Sequence, residues 1–590
     1  MTCNPNNSSQ PQQHGAVPQH ISALKDLPST DSDTSHVIYI NPDIALASRS
    51  SSASPPPTRE SRPDRQPLLD NDLRCYLWSI EVDPELAYDA FTSANIDPPI
   101  TPHSLGELDI GSIAHNLKLR HDINYDFELH FRPNLDGAKG ARKRATQELY
   151  WRAVTVELNI VMRLCAEPWD ARREALFKAS QRRIPRLFDV LKEILKNLVP
   201  ETDKSTVDDH LDVGVLMQEI GRGLCDFVSI AMWLAQLLKR HCAPMRDGMV
   251  DRMVDRLRAG TPQDVSKGLL ELFGVLEAMK LDVANHQIRH LRYLLIEDTI
   301  SFEQSYHAKR IERRPERINP RQARTWFLEQ TEAFTPRGPH GDFEAFARGL
   351  VRMLVSALSL HELAADMPNI FELDAERLRA ASGELNDLLF QNVCVDVLGE
   401  LVSTRSRGAR CPTPADEARL RMHLAAIVAD PAARGWSCNA DYIALELVRH
   451  ALRIVGEEGV EYDAALVNEV QGSLHRRFHD PLCMEEQEER LEAVVLPIVL
   501  DTGHKFMGAS PCDMFNALVA GPGTGSVVVR SGFGAGERVG GRAGGVGRGD
   551  RASEIARRVA HVAVLHWRVW EGIVYQNAKW DEEVDGSRKE

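Results

Sequence analysis

Residues 216–238 read LMQEIGRGLCDFVSIAMWLAQLL, and their apolar positions Leu216, Ile220, Leu224, Phe227, Ala231, Leu234 and Leu238 recur at intervals of 4, 4, 3, 4, 3 and 4. Such spacing lines one face of an α-helix, because 3.6 residues complete a turn. Pro244 follows shortly, where helices commonly stop. The pattern predicts one amphipathic helix here and sets the expectation for the whole chain, a helical one.

Working outward, Leu187, Leu191, Leu195 and Leu198 form a second stripe between Pro185 and Pro200. Leu281, Ala284, Ile288, Leu291 and Leu295 form a third. Residues 343–365, 374–402, 416–429, 440–456 and 484–500 show the same period, as does a last helix from Ser553 to Tyr575 with Ile555, Val559, Val562, Val569 and Ile573 facing inward. No fixed repeat length connects them, so a solenoid is not indicated. The expected fold class is all-α, a multi-helix array.

One segment departs from the helical period. Ile123, Tyr125, Phe127, Leu129 and Phe131 alternate with polar residues, and Pro133 closes the run. A period of two predicts an extended strand over residues 122–132. A lone strand needs a partner or a groove to lie in.

Two stretches stand apart in composition. Residues 1–67 are rich in Ser, Pro, Asn and Gln and hold too little apolar surface to offset ordering entropy, so a disordered tail is expected. Residues 520–551 are crowded with glycine, each costing about 1 kcal/mol in a helix relative to Ala, which predicts a flexible insert. The expected organisation is therefore a tail (1–67), an N-terminal segment (68–135), a helical domain (136–519 with 552–580) and the insert.

The 590-residue chain is 43% hydrophobic and 26% charged, ordinary globular proportions, with a net charge of −15. That balance argues against general attraction to nucleic acid or anionic lipid. The basic strings Arg142-Lys143-Arg144 and Arg313-Arg314 read as solvated helix surface. Ten cysteines lie scattered with no CxxC spacing, which gives no zinc or dithiol signal and suits a reducing compartment. The first residues lack a signal peptide's charged and apolar regions, and no apolar run is long enough to span a bilayer. A cytoplasmic location is expected, with the nucleus as a second.

Catalytic motifs fail on inspection. Gly521-Pro522-Gly523-Thr524-Gly525-Ser526 lacks the Lys of a phosphate loop. His361-Glu362-Leu363-Ala364-Ala365 has Ala where a zinc-protease helix needs its second His. His475 and His479 lie one turn apart without an identifiable third ligand, and His566 sits on an apolar stripe as a core histidine would. No cofactor, metal or catalytic residue is signalled.

A polar stripe is more informative. Asp282, Asn285, Arg289 and Arg292 run beside the apolar face of the helix around residue 285, at intervals of 3, 4 and 3. Asn is a poor helix former, so its place mid-helix points to a side-chain hydrogen bond, within the chain or to a partner. These four are the candidate partner-binding residues. Thr146, after Arg142-Lys143-Arg144-Ala145, fits a basic-directed kinase site.

Several segments together resemble the T-complex protein 11 family, particularly its fungal members of the yeast suppressor of kinase-A loss type. They are residues 119–127 (LRHDINYDF), 187–195 (LFDVLKEIL), 234–247 (LAQLLKRHCAPMRD), 277–292, 302–306 (FEQSY), 371–374 (FELD) and 560–570 (AHVAVLHWRVW). The resemblance implies a helical, non-enzymatic regulator in cyclic-AMP and protein kinase A signalling. Its partners would be that kinase or upstream components of the pathway. It implies no catalytic site, and the glycine-rich block departs from the family's compact sequence. Two alternatives stay open: a helical scaffold for a cytoskeletal or vesicle assembly, and an enzyme or small-molecule binder working at a buried Arg/Asp cluster.

Overall fold

The computed structural model describes residues 66–133, 137–166, 170–313, 318–334, 340–356, 363, 367–429, 435–457, 463–520 and 548–580. Among them the regular structure is helical throughout, with no strand, and the fold is an all-α multi-helix array. The expected tail lies outside the described residues except for its last two, which open the helix Gln66–Ile80. The glycine-rich block likewise lies outside them except at its ends, where Arg548–Trp570 is already helix.

Six helix starts share one local arrangement. Asp83-Pro84, Thr101-Pro102, Asn319-Pro320, Thr413-Pro414, Asp480-Pro481 and Ser510-Pro511 each pair a side chain that accepts from the first turn with a proline just inside. The side chain satisfies an orphan amide, and proline sits where its missing N–H costs nothing.

The described residues divide into two compact units, one holding Glu128–Arg292 with the chain up to Arg120, the other His121–Phe127 and the chain from Tyr293. In the first unit, the helices Gly137–Cys165, Ile184–Leu198, Phe227–His241 and Pro262–Glu297 pack Trp151, Leu158, Leu187, Leu191, Leu234, Leu238 and Phe273 into one core. The predicted helix over 216–238 is in fact two, Val213–Gly221 and Phe227–His241. Gly223 turns the chain at φ +68°, a region that favours glycine, and Asp226 caps the second helix by accepting from Val228 and Ser229. Leu224, expected on the buried stripe, is 72% exposed as a result.

One arginine organises the N-terminal end of this unit. Arg183 is buried and donates to the carbonyls of Phe91 (2.8 Å), Ala94 (2.5 Å) and Asn95 (2.8 Å), so it closes the C-terminus of the helix Pro84–Ser93. Its partner Glu157, 2.9 Å away, accepts the backbone amides of Arg183 and Ile184 and so caps the helix Ile184–Leu198. One ion pair therefore satisfies two helix ends that would otherwise be orphaned.

The second unit is built around its last helix. Arg548–Trp570 buries every residue from Val559 to Trp567, so neighbours surround that half rather than covering the one face that the sequence suggested, while Arg551, Glu554, Arg557 and Arg558 keep one face of its first half exposed. A helical stretch buried all round belongs at the centre of a core. The helix Pro481–Phe506 packs closely along it, and Gly503 in turn admits the ring of Phe343 from the helix Gly341–Ser356.

The expected strand does not form. Residues 123–125 and 127–128 make turns and 129–133 lie without regular structure. Burial does not alternate either: Ile123 and its neighbour Asn124 are both buried, while Phe127 is 42% exposed. No second strand among the described residues could complete a ladder, so side chains take over that role.

Candidate functional site

The predicted polar stripe lies on the helix Pro262–Glu297, and three of its members are engaged within the first unit. Asn285 accepts from the amide of Phe131 at 2.6 Å and donates to the same residue's carbonyl at 3.1 Å. Arg292 donates to the carbonyl of Leu129. Together they bind the backbone of the 129–131 segment, as a neighbouring strand would. Asp282 forms a bidentate pair with Arg246 at 2.8 and 2.9 Å, and that pairing raises the guanidinium's pKa. Arg289 is exposed. Thr146 is exposed in the helix Gly137–Cys165, its hydroxyl donating to the carbonyl of Arg142. The two groups lie on different helices, which Lys143 of the basic string joins through an ion pair with Glu277 at 3.5 Å.

A second constellation lies in the other unit, and no spacing in the sequence signals it. His121 reaches Glu303 with Nδ1 at 3.0 Å and Asp374 with Nε2 at 2.9 Å, all three side chains at most 4% exposed. Carboxylates only accept, so both ring nitrogens donate and the ring is an imidazolium. Burial opposes that charge, but the two anions outweigh it and raise the pKa of His121 to about 10. Asp374 mirrors it: burial disfavours its ionisation, yet His121 and Arg377 hold it at about 2.

Neighbouring groups close the cluster. Arg377 pairs with Asp122 and with Asp374, and its guanidinium lies 4.1 Å from the centre of the Tyr125 ring. That ring also packs 4.6 Å from His561. Asn124 donates to the carbonyl of His121 and to the hydroxyl of Thr299. His307, His561 and His566 are buried as well, and desolvation pushes them down to about 3, 4 and 3, so all are neutral. His566 behaves as the core histidine that its position suggested, stacked 4.0 Å from Phe371 and hydrogen-bonded to the Tyr575 hydroxyl at 3.0 Å.

The cluster therefore clamps residues 121–125 among the helices Thr299–Arg313, Ala375–Ser406 and Arg548–Trp570. It is the buried Arg/Asp arrangement that an enzyme would need, but its charges face one another rather than solvent. Replacing such networks by apolar groups is often no worse for stability, so what this one contributes is a single defined seating of the segment.

His475 and His479 are exposed on the helix Ala464–Phe478 and its end, as solvated residues are. One other grouping, His423 with Glu446 and His450, has metal-ligand geometry. The sequence hid it because a Glu and a His four positions apart are common on any helix.

An array of packed helices whose strongest charges are turned inward to seat its own chain defines a helical protein organised around internal polar locks. The chain belongs to the T-complex protein 11 family, whose model matches residues 119–579. That span begins two residues before His121 and includes every member of the buried cluster. Among curated proteins, Protein SOK1 of Saccharomyces cerevisiae is 32% identical over 315 residues, covering 52% of this chain and 34% of that protein. T-complex protein 11 of Mus musculus is 26% identical over 162 residues, 27% of each chain. T-complex protein 11-like X-linked protein 1 of Homo sapiens is 28% identical over 131 residues, 22% of this chain and 25% of that protein. The chain thus spans about a third or less of the length of the curated relatives it matches. No solved structure matches. Among the described residues no helix is long and apolar enough to cross a membrane.

Proposed function

We propose that this protein is a non-enzymatic regulator of signal transduction that works by binding other proteins, in the cyclic-AMP and protein kinase A pathway. One observation carries the binding half of the proposal. His121, Glu303 and Asp374 are buried and satisfied by one another, whereas the region from Val213 to Arg246 leaves Val215, Leu224, Met232 and Met245 between 45% and 72% exposed. Exposed apolar side chains of this size are what a protein partner covers. Membership of the family, and the resemblance to its fungal members of the suppressor of kinase-A loss type, support the pathway half.

Within this proposal Asp282, Asn285 and Arg292 act by shaping the partner-facing helix and the segment it holds, and Arg289 is the member of the stripe free to touch a partner directly. Thr146 is a proposed site of kinase modification, tested by mapping phosphosites in cells with the kinase active and inhibited. The proposed location is the cytoplasm, with the nucleus as a second.

The test is recovery of partners by the full chain from cells, alongside direct binding to the regulatory and catalytic subunits of protein kinase A. Enrichment of those subunits or of an upstream cyclase component, lost in the Leu224→Glu and Met245→Glu variants, supports the proposal. Enrichment of cytoskeletal or coat proteins instead would favour a scaffold, and the pathway half would fall.

A further inference from the structure

Two histidines and one carboxylate converge where the helices Pro414–Val428 and Ala440–Val455 pack side by side. Nδ1 of His423 lies 2.5 Å from Oε1 of Glu446 and 3.3 Å from Nε2 of His450. Nε2 of His450 lies 3.1 Å from the same carboxylate oxygen. Among the described residues this is the one group of His, Cys, Asp or Glu with ligand atoms so placed.

We propose that His423, Glu446 and His450 form a binding site for a zinc-class divalent cation. A tetrahedral ion with bonds of about 2.0–2.1 Å holds its ligand atoms roughly 3.3 Å apart; the separations from His450, 3.3 and 3.1 Å, match that value, and the 2.5 Å between His423 and Glu446 must open by about 0.8 Å to admit the ion. Two imidazoles with one carboxylate suit zinc and its neighbours better than calcium or magnesium, which prefer oxygen.

The hydrogen-bond arithmetic also points to a cation. Nη2 of Arg449 lies 2.6 Å from Oε1 of Glu446 and 3.0 Å from Nδ1 of His423. A ring nitrogen either donates or accepts; it cannot donate to Glu446 and accept from Arg449 at once. One metal ion, receiving a lone pair from each of the three atoms, removes that conflict. Arg449 is half exposed and so free to swing away, and its charge occupies the site until an ion replaces it.

The ligands are pre-positioned. His450 is buried, and Glu446 lies one turn before it on the same helix, so both are set by core packing around Leu447 and Ala451. His423 is 31% exposed and supplies the open side, which leaves a fourth position for water. An ion there would pin the two helices to each other.

The experiment uses the full chain stripped with a chelator, then titrated with Zn²⁺ by calorimetry and with Co²⁺ by visible absorption. One ion per chain is expected, with four-coordinate cobalt bands and no sulfur-to-metal charge transfer, which separates this site from the cysteines. His423→Ala should abolish that binding with the helical circular dichroism unchanged. Arg449→Ala should tighten it by about two- to fivefold, the weight of an exposed ion pair. Absence of binding, an ion retained in His423→Ala, a thiolate band, or an affinity unchanged or weakened in Arg449→Ala would each overturn the assignment.

Discussion

Asn285 holds the backbone of Phe131 by both of its polar groups, taking the amide with Oδ1 at 2.6 Å and the carbonyl with Nδ2 at 3.1 Å. A side-chain amide has the same donor and acceptor as a peptide unit, so one residue on a helix does what a residue of a neighbouring strand would do. This accounts both for an asparagine in mid-helix and for an alternating segment that never becomes a strand.

Removing that amide exposes the dependence. Asn285→Ala should lower stability by about 1–3 kcal/mol, the cost of leaving buried backbone groups without partners. Urea unfolding measures the loss. Hydrogen exchange should quicken at residues 129–132 while the helix Pro262–Glu297 keeps its protection.

Stability should peak near pH 6.5. His121 is raised from 6.5 to about 10, so its contribution is complete below 6.5 and disappears as pH climbs through 10. His307, His561 and His566 are depressed to about 3, 4 and 3, so theirs is complete above 6.5 and is lost as pH falls through those values. Asp374, at about 2, adds a further loss only below 3.8. Each titrating group tilts stability by about 1.4 kcal/mol per pH unit between its two pKa values, so the acid limb should be the steeper. Denaturant midpoints across this range check the shape, and His561→Phe should flatten the acid limb without touching the alkaline one.

Arg183 needs its fork as well as its charge. Three carbonyls and a carboxylate surround it, and a lysine ammonium cannot reach all four. Arg183→Lys should cost about 1–3 kcal/mol, the range for leaving buried carbonyls without their donors. Limited proteolysis should then cut first within residues 66–93. Replacing Arg183 and Glu157 together by methionines should recover part of the loss.

Glycine at 503 is a packing requirement. A methyl group there would lie 2.3 Å from the ring of Phe343, which is itself 2% exposed and has nowhere to withdraw. Gly503→Ala should destabilise by about 1–3 kcal/mol as an overpacked core does. Gly383, on the helix Ala375–Ser406, has nothing within 4 Å of its added methyl, so Gly383→Ala should stabilise by about 0.5–1 kcal/mol. Melting both variants side by side separates close approach from helix propensity.

The helices were legible locally. Apolar residues every three or four positions placed the stretches at 187–198, 374–402 and 440–456 near their observed bounds, because that spacing is a property of the helix itself, whereas the stripe at 281–295 marked only the C-terminal part of the helix Pro262–Glu297. Where the same pattern ran on across 216–238, the break at Gly223 was present in the sequence but outweighed by the stripe. The alternation at 123–131 misled for a different reason. A strand is stabilised by what lies beside it, and here a helix face supplies Asn285 and Arg292 instead.

The polar stripe at 282–292 was visible, but not the use made of it, since Arg246 and Phe131 come from elsewhere in the chain. His121 was beyond reach of any spacing: its partners stand 182 and 253 positions away. Helical identity is decided within a few turns, by side-chain period, caps and prolines. Which charges meet, and which are dry enough to shift by several pH units, is decided only when distant helices exclude water around them, because desolvation and pairing are properties of the packed interior and have no local signature.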